Sequence, residues 1–249
     1  MSKKFGAFAG GVLAIVLVAP CAHAYRPFDG TDADVSSLGE LELEIGPLGY
    51  LRASHDSALV FASTVVNYGF LPRWEVVAEG QGVAGFDGTL PPRFTDGSLF
   101  VKHVLRSGVL QGKTGISLAV ELGVLFPNND EPFAENTGLH LSLITSYAWR
   151  ELAAHFNVWL ERSSDGRPDA FASLILEFHP GAAIRPVTEI FFDRHGDVDE
   201  PSALVGFIWR ASDHISLDAA TRLAWDDGAP LYEIRAGLTI GVPFIRERR

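Results

Sequence analysis

Across residues 115–126 every second position is apolar: Ile116, Leu118, Val120, Leu122, Val124 and Phe126. Between them stand Gly115, Ser117, Ala119, Glu121, Gly123 and Leu125, mostly small or charged. A period of two places alternate side chains on opposite faces of a strand, so one face of this stretch is continuous hydrocarbon. A run of about twelve residues is roughly twice the usual strand of a soluble domain and matches a tilted strand crossing a bilayer. The pattern recurs almost to the end of the chain. It predicts strands over residues 39–51, 58–69, 74–83, 98–110, 115–126, 138–149, 152–161, 170–178, 183–193, 202–210, 215–225 and 231–244.

No helical period and no linker interrupt this series after Val18. The fold class that follows is all-β: a single transmembrane antiparallel up-and-down β-barrel of about 12 strands, occupying residues 39–249. The connections after the second, fourth, sixth, eighth and tenth strands read as tight, and most of the others as longer and more acidic. That matches the short periplasmic turns and longer outer loops of outer-membrane barrels, with both termini on the periplasmic side. Register is least determined between residues 170 and 210. There Leu204, Gly206 and Ile208 compete with Ala203, Val205 and Phe207 for the outward face, and Pro186 interrupts a strand.

Aromatic residues gather near the strand ends. Tyr68, Phe70, Trp74, Tyr147, Trp149, Trp209 and Phe244 fall at the expected periplasmic end, and Tyr50, Phe100, Phe126, Trp159, Trp225 and Tyr232 at the outer end. Two such groups read as interfacial girdles. A secreted β-sandwich also alternates, but its strands are about half as long.

The first residues change the picture from barrel to exported barrel. Lys3 and Lys4 precede an apolar run over 5–18, and Ala22-His23-Ala24 resembles a signal-peptidase site, so residues 1–24 are expected to be a cleaved signal peptide. The run is short for a retained membrane anchor, and Pro20 before Cys21 fits a lipoprotein signal poorly. Cleavage leaves no cysteine and hence no disulfide or thiol chemistry. It also leaves 18 Lys+Arg against 31 Asp+Glu, a net charge of −13, which excludes nucleic-acid binding by charge attraction. Residues 25–38 form an aperiodic N-terminal lead-in. Folded back into the periplasmic mouth it would narrow it, with Asp29, Asp32 and Asp34 making the mouth cation-favouring.

The lead-in also carries a resemblance. Residues 26–35, Arg-Pro-Phe-Asp-Gly-Thr-Asp-Ala-Asp-Val, followed by Gly39-Glu40-Leu41-Glu42-Leu43-Glu44 and Gly46-Pro47-Leu48-Gly49-Tyr50, resemble a family of bacterial outer-membrane putative transporters grouped with phenol meta-pathway degradation proteins. Barrel patterning and the ending Arg235-Ala236-Gly237-Leu238-Thr239 extend the likeness. The resemblance implies uptake of small hydrophobic or aromatic solutes at the outer membrane. It also implies barrel-assembly machinery as a partner, engaged through an aromatic-ended last strand. Here Phe244 has the right phase with Tyr232, Ile234, Leu238, Ile240 and Val242, and the tail over 245–249 follows it.

The inward phase collects the candidate lumen-lining residues: Glu40, Glu42, Glu44, Glu75, Glu79, Lys102, Arg106, Glu121, His140, His155, Asn157, Glu161, Arg185, Glu189, Asp218, Arg222, Glu233 and Arg235. With both signs present they either pair into a polar filling or line a pathway. Eight strands are filled by side chains and about sixteen leave a water channel, so twelve falls between. His140 with Ser142 raises an outer-membrane lipid-modifying enzyme, but neighbours on one strand do not form a nucleophile–base pair readily. No cluster has convincing metal-ligand spacing; Asp193, Asp197, Asp199 and Glu200 lack the Ca²⁺-loop pattern and suit only loose cation binding. No catalytic residue and no cofactor are assigned. The expected partners are outer-membrane lipid and a small hydrophobic solute taken up passively. A structural or adhesive barrel is the alternative.

Overall fold

The computed structural model describes residues 26–53, 56–85, 91–127, 137–163, 166–226 and 228–244. The expected signal peptide, the residues 128–136 of the long acidic loop, residues 86–90 and the tail 245–249 lie outside them. Twelve antiparallel strands close into a barrel, each paired to its sequence neighbours, with the first paired to the last. They are β1 (Glu40–Ala53), β2 (Asp56–Leu71), β3 (Trp74–Gly85), β4 (Arg93–Arg106), β5 (Ser117–Leu125), β6 (Gly138–Ala148), β7 (Leu152–Arg162), β8 (Pro168–Phe178), β9 (Ile184–His195), β10 (Val198–Arg210), β11 (Ile215–Asp226) and β12 (Ala229–Pro243). Closure leaves no unpaired edge, which is what allows strands to sit in hydrocarbon.

β6 shows how alternation becomes a wall. Leu139, Leu141 and Leu143 are 48–60% exposed on the outside, whereas His140, Ser142, Ile144 and Ser146 are buried inside. The disputed stretch of β10 resolves the same way. Leu204 and Ile208 are fully buried, while Val205 and Phe207 face outward. Leu204 opposes Glu189, and Ile208 packs with Val187 against Phe28 of the lead-in.

Two expectations change. The long outer loop expected over 194–201 is largely paired strand: Val198 opposes His195, and only residues 196–197 turn. The β1–β2 and β11–β12 connections are equally short. Here the far ends of the strands continue as hairpins rather than breaking into loops. At the end carrying the barrel termini, by contrast, β4 and β5 are joined by residues 107–116, including a single 3-10 turn, Val109–Gln111.

The lead-in does not hang free. From Gly39 it runs back into the lumen and curls round the inner wall. Ser36 N–H donates to Glu75 on β3, Ala33 packs on Ala119 and Ile144 of β5 and β6, and Thr31 N–H donates to Asn157 on β7. Asp29 and Gly30 N–H groups donate to the two Glu189 oxygens on β9, at 2.8 and 2.9 Å. Arg26 then reaches β1, β2, β11 and β12. An aperiodic segment has no ladder to satisfy its N–H groups, so the acidic and amide side chains of the wall do it instead.

Candidate functional site

The floor of the lumen is built by this packing. Arg26 lies in a slot between β1 and β12 that two glycines keep open. A side chain on Gly46 would meet the guanidinium at 2.7 Å, and one on Gly237 would collide with both Arg26 and Asp218. Within the slot Arg26 Nε stands 3.7 Å from Asp218, and the Arg26 backbone N–H donates to Glu44 at 3.1 Å. Glu44 takes a second bond from Asn67. Arg235 donates to the Pro27 carbonyl, to both Asp29 oxygens and, at 2.8 Å, to Glu233.

Asp29 shows the electrostatic consequence. Burial opposes its charge, but Arg235 above all, with Arg222 and Arg26, outweighs burial and holds the carboxyl below its ordinary pKa. Lys102 is almost fully buried, 3.6 Å from Glu75, and donates to the Thr31 hydroxyl at 3.2 Å.

A second chain of contacts crosses four strands. Ala33 N–H donates to Ser146 Oγ at 2.8 Å, and Ser146 Oγ is 2.8 Å from His155 Nδ1. His155 Nε2 is 3.4 Å from Glu177, which accepts from Arg185 at 2.9 Å. A serine, histidine and glutamate in line are the parts of an acyl-transfer site. Here the serine is fully buried beneath Ala33, so the arrangement fastens the lead-in. Ser142 makes no such pair with His140, whose Nδ1 lies 2.6 Å from Glu161 and whose Nε2 is 3.6 Å from Glu121.

Above the floor is a cavity of about 560 Å³. Arg26, Phe28, Asp29 and Thr31 form its base. Its walls include Glu79, Glu121, His140, Asn157, Trp159, Glu161, Phe171, Asp193, Arg222 and Glu233. Arg222 bridges Glu200 and, at 3.5 Å, Glu233.

The expected inward set therefore divides. Glu40, Glu42, Glu44, Glu75, Lys102, His155, Asn157, Arg185, Glu189 and Asp218 are buried in the lumen, and Glu44, Glu75, Lys102 and Asn157 among them also touch the cavity. Glu79, Glu121, His140, Glu161, Arg222, Glu233 and Arg235 border the cavity. Arg106 does not face in. A bulge between Val104 and Arg106 inserts one residue, so Val104 opposes inward Ala119 but Arg106 opposes outward Leu118, and Arg106 is exposed.

Phe100 and Trp159 also correct the girdle reading. Phe100 is 4% exposed, and both rings face the lumen. Their parity with Lys102 and with Asn157 carried that signal in the sequence. Trp149, Trp209, Trp225 and Tyr232 remain exposed at the barrel ends. Among the described residues no group of acids and histidines is arranged to hold a metal ion. Asp199 pairs with Arg194, and Asp193 with His195.

No family model matches the chain, and no curated protein matches it. Solved barrels do. The KdgM porin shares the fold at a TM-score of 0.53 and 6% identity, covering 80% of this chain and 98% of its own. The NanC porin does so at 0.53 and 10%, with the same coverage. At such identity the likeness is one of fold.

Proposed function

We propose that this barrel sits in a bacterial outer membrane and passively admits small solutes through a lumen that its own N-terminal segment narrows. The observation that carries the reading is the lead-in itself. Residues 26–38 line and obstruct the end of the lumen bearing the barrel termini, and a polar cavity stays above them. A barrel of twelve strands falls between one that side chains fill and one that leaves a wide water channel, and the extra segment occupies part of the remaining width. The outward leucines of β6 and the aromatic ends supply the lipid-facing surface, and lipid is the immediate partner.

The KdgM and NanC barrels, which share the fold, are named porins, which supports the uptake class. The resemblance of residues 26–50 to transporters grouped with phenol meta-pathway proteins adds small hydrophobic or aromatic solutes as candidates. The filled floor favours the alternative of a structural barrel. The two separate in liposomes holding purified full-length protein or a variant lacking residues 26–38, tested with sugars, phenols and small aromatic acids. Uptake by the full chain, faster in the shortened one, is the expected result. Uptake by neither, above that of protein-free liposomes, makes the structural reading the better one.

A further inference from the structure

The cavity wall is not uniformly polar. Five rings run round its inner side from β4 to β9. Centroid to centroid, Phe100 lies 4.7 Å from His140, His140 5.8 Å from Trp159, Trp159 5.2 Å from Phe171, and Phe171 5.5 Å from Phe191. Trp159 and Phe171 stack with planes 3° apart. Gly123 makes the first link possible, because a side chain there would occupy the space of the Phe100 ring. Four of these rings border the cavity.

Carboxylates border the same arc. Glu121 and Glu161 flank His140 on its two ring nitrogens, and Glu79 accepts from the Ser98 hydroxyl. Among the described residues none of the three forms an ion pair with Lys or Arg. The lumen cations have carboxylates of their own: Arg222 pairs with Glu200 and stands 4.8 Å over the Phe191 ring at the far end of the arc, Arg235 pairs with Asp29, and Lys102 pairs with Glu75 while opposing Glu121 across β4 and β5. His140 Nε2 is buried without a hydrogen-bond partner. Glu79, Glu121 and Glu161 thus set three carboxyl groups beside the Phe100–Phe171 part of the arc, with Arg222 at its Phe191 end.

We infer that this arc is a binding site for small solutes carrying a protonated amine close to an aromatic ring. The assignment rests on the uptake reading and narrows its substrate class. A cation is drawn to the faces of the wall rings and to the carboxylates, while the solute's own ring stacks against Trp159 or Phe171. Each part alone is insufficient. An aromatic acid is repelled, a neutral aromatic forgoes the charge, and an aliphatic amine forgoes the stacking. The cavity volume lies within the range of small-molecule sites.

Four probes separate these terms: 2-phenylethylamine, 2-phenylethanol, 3-phenylpropionate and 2-cyclohexylethylamine. Binding to the detergent-solubilised full chain is measured by calorimetry. The ring amine is expected to bind about tenfold tighter than each of the others. Glu121→Gln with Glu161→Gln should abolish its advantage over the alcohol, and Phe171→Leu its advantage over the cyclohexyl amine. Trp159→Leu serves as the second ring variant should Phe171→Leu fail to fold, which its heat-dependent gel mobility reveals.

Equal binding of all four probes, tighter binding of the acid, or preferences that survive both sets of substitutions overturn the assignment. Liposome uptake of neutral sugars by the same protein is scored separately. Sugar uptake without amine preference defeats the site and leaves the channel standing. Amine preference without any uptake defeats the channel and leaves the site.

Discussion

The backbone N–H of Ala33 donates to the hydroxyl of Ser146, 113 positions later in the chain, at 2.8 Å in a fully buried setting. This contact ties the lead-in to the wall where side chains leave least room. Ser146→Ala removes the acceptor and strands a buried N–H, and should cost about 1–3 kcal/mol in urea unfolding from lipid vesicles. Faster hydrogen exchange at residues 31–34 in the variant would locate the loss in the lead-in. Unchanged exchange there would show that Ser146 does not hold it.

The facing of β6 gives a cleaner contrast than that of β5, where Ala119 lies against the lead-in. Leu143→Arg places a charge on the outer face at mid-strand and should cost about 2–4 kcal/mol. Ser142→Arg points into the cavity and should cost less. Equal losses in vesicle unfolding would contradict the assigned faces.

Acid should loosen the lead-in. A carboxyl whose folded pKa is lowered, as that of Asp29 is, stabilises the folded state above its ordinary value and loses this as pH falls through the lowered one. The contribution of Asp29 is therefore constant through neutral pH and weakens only below about pH 4. Liposome uptake of a neutral sugar should rise between about pH 5 and pH 3 in the native protein. Asp29→Asn should show the raised uptake at both.

Orientation is checked by chemical labelling. In a chain carrying Cys21→Ala, Asp197→Cys at the β9–β10 turn should react with a membrane-impermeant maleimide on intact cells. Lys113→Cys, in the β4–β5 connection, should react only after the cells are opened. The opposite result would invert the barrel.

Much of this architecture is legible from parity alone. The alternation in β5 and β6 predicts their faces because each residue has only two directions to choose from. Where the period breaks, parity fails. At Arg106 one inserted residue reverses the phase, and no change of composition announces it. In β10, Phe207 and Ile208 are both apolar, and the packing of Phe28 on Ile208 and Val187 marks the inward one. The outer hairpin at 196–197 was obscured by charge, since polar residues beyond the membrane can pair as readily as those within it.

The candidate site was half visible. Its charged residues share a phase, but the ring arc needs six strands, β4 to β9, set side by side before its members become neighbours. Phe100 and Trp159 near strand ends resemble interfacial anchors until their parity is compared with Lys102 and Asn157. The glycines opposite Arg26 carry no periodic signal, because each matters only for what rests on it.

The slot that holds Arg26 lies across the join between the first and last strands. Arg26 bonds to Glu44 on one side and to the Ala236 carbonyl on the other, 210 positions away, and Arg235 reaches back to the Pro27 carbonyl. Arg26 thus gains its contacts on both sides only when the final strand has found its partner. An unfinished ring offers Arg26 half an anchorage, and a finished one offers both. Occupancy of the slot by Arg26 and closure of the β1–β12 seam therefore go together.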